Sequence, residues 1–165
     1  MNDIRLKAYG AAAAVFALDR LTKWIVETRV SFLDTYTVIP GFFDIVHSEN
    51  RGVAFGLFNG SAAGGWRTPL LALFSLVAVV AVSVMLWRER HLSRLSLWGL
   101  SLVLGGAAGN LFDRVVTGRV TDFLLFYLGP YQWPAFNVAD SALVAGCGLL
   151  LLELLRPKRQ TANVP

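Results

Sequence analysis

The chain has 165 residues, of which 55% are hydrophobic and only 16% charged, with a formal net charge of +4. Soluble domains carry about 25% charged residues. Here the apolar side chains also run in long blocks, which excludes both a soluble fold and a disordered chain. The basic balance does not point to nucleic acid, because the Lys and Arg clusters sit beside the hydrophobic runs, where membrane proteins keep them.

A bilayer core needs roughly 20 mostly apolar residues in a helix. Four segments qualify, at about 8–28, 69–87, 95–113 and 138–155. The first follows Arg5 and Lys7 and is interrupted by Asp19, Arg20 and Lys23. Residues 1–18 also have the layout of a cleavable signal peptide, but the apolar pattern resumes at Trp24-Ile25-Val26, as in a continuing span. Next, from about 30 to 58, come the β-type runs Thr35–Ile39 and Phe42–Val46, separated by the turn signal Pro40-Gly41. The spacing predicts a small sheet. The second span carries no charge and has Pro69 in its first turn, where proline is tolerated. The third contains Gly105, Gly106 and Gly109, small residues that let a neighbouring backbone approach closely. From about 114 to 137 a run of aromatic residues, Phe123 to Trp133 and Phe136, predicts a segment lying in the membrane interface. The fourth span ends at Glu153 and a basic tail, and its Cys147 reads as a packing residue.

Arg5 and Lys7, then Arg88, Arg90 and Arg94, then Arg156, Lys158 and Arg159 fall on one side of a four-span chain. By the positive-inside rule that side is cytoplasmic, with both termini inside and the two longer connections outside. The fold class is therefore a single membrane all-α domain over 1–165, with four transmembrane helices, a small extracytoplasmic β-sheet and an interfacial segment between helices 3 and 4.

This topology puts the ionisable residues at one depth. Asp19 lies in the outer half of the first span, Asp113 and Arg114 close the third, Asp140 opens the fourth, and Asp122 lies between those two. Asn50, Asn110 and Asn137 fall at the same level. Two carboxylates that cannot both ionise share a proton, giving one base and one acid near neutral pH. Such a pair activates water against an amide and protonates the leaving nitrogen. Serine chemistry lacks a placed base, since His91 sits among cytoplasmic arginines and His47 in the sheet segment. A metal site lacks a His or Cys cluster. Structural roles compete for several of these residues. Asp19 and Lys23, at i,i+4, suit a helix-face ion pair; Asp113 beside Arg114 suits a helix anchor; Asp140 near Asn137 suits a helix start. Asp122 has no simple structural excuse. A small proton-coupled transporter and a membrane scaffold are the alternative readings.

Five segments carry a resemblance in order: Asp19-Arg20-Leu21-Thr22-Lys23; Asn50-Arg51-Gly52-Val53-Ala54-Phe55; Gly105 through Asn110 to Arg114; Val120-Thr121-Asp122-Phe123; and Phe136-Asn137-Val138-Ala139-Asp140. Together they resemble the lipoprotein signal peptidase family, signal peptidase II of bacteria. The resemblance implies an aspartic endopeptidase of the bacterial cytoplasmic (inner) membrane, active near its extracytoplasmic face. It would remove the signal peptide from prolipoproteins by cleaving before a diacylglyceryl-modified cysteine. It selects Asp122 and Asp140 as the catalytic dyad, and implies site-structure or substrate-contact roles for Asp19, Lys23, Asn50, Gly52, Asn110, Arg114, Asn137 and Ala139. It further implies a β-cradle from the first outer segment, a mobile lid from the second, and no metal or cofactor. The expected partners are the lipid-modified prolipoproteins and membrane lipids, with no nucleic acid, and nothing demands more than a monomer.

Overall fold

The computed structural model describes residues 3–51, 66–89 and 92–156. Four helices and a four-stranded antiparallel sheet account for them: α1 (Asp3–Arg29), β1 (Thr35–Ile39), β2 (Phe43–Asn50), α2 (Arg67–Arg88), α3 (Arg94–Val116), β3 (Val120–Leu128), β4 (Tyr131–Gln132) and α4 (Val138–Leu155). α1 runs unbroken through Leu18 and Asp19, so the N-terminal apolar stretch is continuous with the segment that follows it. Of the four helices, α2, α3 and α4 are long and apolar enough to cross a membrane, with mean hydropathies of 2.6, 1.4 and 1.9. α1 matches them in length but carries Asp19, Arg20 and Lys23 in its C-terminal half.

α3 is the central helix. The most apolar stretch of α3 is 61% buried, against 11% in α2 and 17% in α4. This centrality follows from its glycines. A Cβ on Gly105 would stand 2.6 Å from the carbonyl oxygen of Ala12 on α1, and one on Gly106 would stand 2.4 Å from that of Ala139 on α4. Without side chains at these two positions, both neighbouring backbones close onto α3, as expected of small residues in membrane helices. On the opposite end of α3, Ala8, Ala12, Val82, Leu86, Leu97, Leu100 and Leu104 form the hydrophobic core. The outward faces of α2 and α4 keep large apolar side chains exposed, among them Phe74, Val77, Trp87, Val144 and Leu151. Such all-round apolarity is the signature of helices solvated by lipid. Cys147 belongs to this exposed face and is not packed as expected. Because α4 is apolar on every side, its sequence does not distinguish a lipid-facing position from a packed one.

The sheet has the order β1-β2-β3-β4. β1 and β2 form the predicted hairpin, with Gly41 at φ +71° in the turn. The outer β segment expected to about residue 58 is strand as far as Asn50; residues 52–58 lie outside the described residues. The stretch read from the sequence as an interfacial segment contains regular structure: Val120–Leu128 is an inner strand of the sheet, paired with β2 on one side and with β4 on the other. Its aromatic residues are used in packing: Phe126 stacks on Phe43 at 4.6 Å and on Phe136 at 5.7 Å. Val120, Phe123 and Leu125 are buried.

Candidate functional site

The polar residues singled out from the sequence meet where β3 and the start of α4 approach the C-terminal halves of α1 and α3. Phe136 makes the junction. Its carbonyl oxygen accepts from the backbone N–H groups of Phe123 (2.9 Å) and Leu124 (2.8 Å), and its own N–H donates to Leu124 (3.1 Å). The next residue, Asn137, is thereby pressed against Asp122. Asn137 is the N-cap of α4, with extended backbone, as expected of an amide-bearing cap.

Asn137 is fully buried and joins the Asp122 carboxylate to the backbone of Asp140. Its Oδ1 accepts from the backbone N–H of Asp140 at 2.9 Å, and its Nδ2 donates to Asp122 Oδ1 at 2.7 Å. The second oxygen of Asp122 accepts from Asn50 Nδ2 at 3.1 Å. Asp140 Oδ1 accepts from Asn110 Nδ2 at 2.7 Å. Three amides from three elements thus hold two carboxylates. Asp122 is only 3% exposed. Burial, and then the charge of Asp140, push its carboxyl up to about 6, against the opposing pull of the Asn50 and Asn137 hydrogen bonds and the more distant Lys23.

Beneath the pair lies an ion cluster. Asp19 and Lys23 are fully buried, one helical turn apart on α1, with Lys23 Nζ 2.8 Å from Asp19 Oδ2. The structural ion pair expected from their spacing is therefore present, and it also has outside partners. Asp19 Oδ1 accepts from the backbone N–H of Ala139 at 2.9 Å, a second cap for α4 donated by another helix. Lys23 Nζ lies 2.6 Å from Asp113 Oδ2 and donates to Asn110 Oδ1 at 3.2 Å. That bond fixes which end of the Asn110 amide faces Asp140, because the oxygen is held by the ammonium and the NH₂ is left for the carboxylate. Gly109 makes room for the arrangement, since a Cβ there would stand 2.5 Å from Asp19 Oδ2.

Asp113 is anchored as anticipated, but by different cations. It pairs with Arg20 and Lys23 of α1 rather than with its neighbour Arg114. Arg114, one position on, projects elsewhere: its Nη1 donates to Ser75 Oγ at 3.2 Å and to the Asn110 carbonyl at 3.3 Å, with Asp140 and Asp122 in electrostatic range. Gly52 lies outside the described residues. Among the described residues, no group of three or more His, Cys, Asp or Glu side chains is arranged to hold a metal ion. The positive charge facing the carboxylates comes from Lys23 and Arg114. Sequence reasoning missed Arg20 and Glu27. Glu27 Oε1 accepts from the Thr121 hydroxyl at 2.7 Å, and its legible signal is the i,i+4,i+8 stripe Asp19-Lys23-Glu27.

Apolar helices around a polar cluster that includes Asp122 and Asp140, roofed by a small sheet, define a helical protein of membrane type. The family model described as "Signal peptidase (SPase) II" matches residues 11–156. A lipoprotein signal peptidase of Solibacter usitatus is 63% identical over 164 residues, spanning 99% of each chain. One from Symbiobacterium thermophilum is 41% identical over 155 residues, covering 90% of this chain and 94% of the relative. Two solved structures described as bacterial membrane enzymes superpose with TM-scores of 0.82 and 0.79, at 28% and 30% identity. They cover 96% and 92% of this chain and 94% of each of theirs. The chain belongs to the signal peptidase II family. The transporter and scaffold alternatives find no support in these comparisons.

Proposed function

We propose that the chain is an aspartic endopeptidase that removes the signal peptide from prolipoproteins, cutting immediately before a diacylglyceryl-modified cysteine. The observation that carries this reading is the Asp122–Asn137–Asp140 unit, in which one buried amide binds the Asp122 carboxylate and the Asp140 backbone N–H while Asn110 holds the Asp140 carboxylate. An aspartate held up to about 6 beside a second carboxylate gives a pair that shares one proton near neutrality. The ionised member takes a proton from water, and the protonated member polarises the scissile carbonyl. The resulting neutral gem-diol collapses as a proton passes to the leaving amine. Arg114, Asn50 and Asn137 hold the peptide backbone as hydrogen-bond donors, and Asp19, Lys23, Gly52, Asn110 and Ala139 serve site structure or substrate contact.

In this reading α1 is a fourth membrane span, its charged residues turned inward onto α3 and α4. The Lys/Arg distribution places both termini in the cytoplasm and the dyad near the outer face of the bacterial inner membrane. The apolar faces beside the site accept the acyl chains of the substrate, and a monomer suffices. Asp122→Asn and Asp140→Asn keep the side-chain size but cannot share a proton, so each abolishes cleavage while the protein still inserts and folds. An Asp140→Asn protein that cleaves at the normal rate sinks the assignment.

A further inference from the structure

Asp19, Lys23 and Glu27 lie one turn apart along a single face of α1. The first two reach the Asp140 side of the site, through Ala139 N–H and Asn110 respectively. Glu27 reaches the Asp122 side. Its Oε1 accepts from Thr121 Oγ1 at 2.7 Å, and its Oε2 lies 3.9 Å from Arg20, which is itself paired with Asp113. Glu27 is thus held from one side and holds β3 from the other.

Thr121 is the point where such a hold has most effect. It is 5% exposed, and its carbonyl oxygen accepts from Asn137 Nδ2 at 3.4 Å, the same amide nitrogen that donates to Asp122. Successive strand side chains point to opposite faces. A tether on Thr121 therefore fixes the strand from behind while Asp122 projects toward Asp140. Without it, the position of Asp122 rests on the ladder to β2, the Phe136 bridge and the amides of Asn50 and Asn137, and the β2–β3 register is already irregular between Ile45 and Ser48.

We infer that Glu27 is a positioning residue of the peptidase reaction: its carboxylate, through the Thr121 hydroxyl, sets the distance of the Asp122 strand from Asp140. This rests on the proposed dyad. The test compares Glu27→Ala, Glu27→Gln, Thr121→Val, Thr121→Ser and the double variant Glu27→Ala/Thr121→Val on a diacylglyceryl-modified prolipoprotein, with Asp122→Asn run alongside. Misplacement by about 1 Å lowers rates up to about a hundredfold. Glu27→Ala and the near-isosteric Thr121→Val are expected to lower kcat by about ten- to a hundredfold with little change in KM. Glu27→Gln, which keeps an acceptor, and Thr121→Ser, which keeps the hydroxyl, recover most of the rate. The double variant is no slower than the worse single, because both remove one bond. A full kcat in Glu27→Ala and Thr121→Val, a loss confined to KM, or losses that multiply in the double variant overturn the inference. Cleavage by Asp122→Asn removes the dyad, and this inference with it. An inactive Asp122→Asn beside a fully active Glu27→Ala removes this inference alone.

Discussion

Gly106→Ala probes the contact that brings α4 to the site. The added methyl carbon would stand 2.4 Å from the carbonyl oxygen of Ala139 and 3.0 Å from Leu143 Cγ. A comfortable carbon–oxygen approach is about 3.3 Å, so the α3–α4 separation must grow by about 0.9 Å at this level. Overpacking of this kind costs about 1–3 kcal/mol, and the better helix propensity of alanine offsets about 1 kcal/mol. A net loss of about 0–2 kcal/mol follows. The larger effect falls on activity, because Ala139 adjoins Asp140 and a shift near 1 Å lowers the rate by up to about a hundredfold. Gly148→Ala is the control on the same helix pair: nothing lies within 4 Å of its Cβ. Thermal unfolding in detergent and cleavage of a lipid-modified prolipoprotein should show both losses in Gly106→Ala and neither in Gly148→Ala. A Gly106→Ala protein with normal melting and a normal rate refutes the close α3–α4 packing.

Three further outcomes follow from the same geometry. Asp122 has its carboxyl raised to about 6, so as pH climbs from about 4 the unfolded chain releases this proton before the folded one, and stability is lost until about pH 6. Between about pH 4 and pH 8 the parent should therefore lose up to about 3 kcal/mol of stability relative to Asp122→Asn; a stability difference between the two that does not change with pH contradicts it. For the same reason kcat/KM should fall on the alkaline side of an apparent pKa near 6 that belongs to the pair, and a pH–rate profile flat from 5 to 9 excludes a shared proton. Lys23→Met leaves the buried Asp19 carboxylate without its cation, and stripping one partner from a buried pair costs about 3–5 kcal/mol. Chemical or thermal unfolding that matches the parent would show the cluster is not held by Lys23.

Much of the site was legible in the sequence because a membrane topology fixes depth. Once the Lys/Arg clusters orient the spans, Asp19, Asp113, Asp122 and Asp140 fall at one level with Asn50, Asn110 and Asn137, and hydrogen bonds join these residues in the folded chain. Depth says nothing about rotation around a helix axis. Asp113 was therefore given the adjacent Arg114 as its natural partner, whereas the helix turn sends the two side chains to different neighbours. Cys147 was misplaced for the same reason on a helix apolar all round. The strand within the aromatic stretch before α4 was hidden for a different reason. Its Phe and Tyr residues fit a membrane interface and a buried strand equally well, and what decides is the pairing partner, β2, about 75 residues earlier. Glu27 was overlooked because it acts through Thr121, a contact that only the folded chain brings together.

The central claim, that Asp122 and Asp140 together hydrolyse the peptide bond preceding a lipid-bearing cysteine, is tested most directly by the mass of the products. Purified protein is incubated with a diacylglyceryl-modified prolipoprotein and with its unmodified counterpart, beside the Asp140→Asn variant. The account predicts a single cut immediately before the modified cysteine, made by the parent protein on the modified substrate and absent with Asp140→Asn. A cut at another bond, equal cleavage of the unmodified chain, or an undiminished product from Asp140→Asn would contradict it.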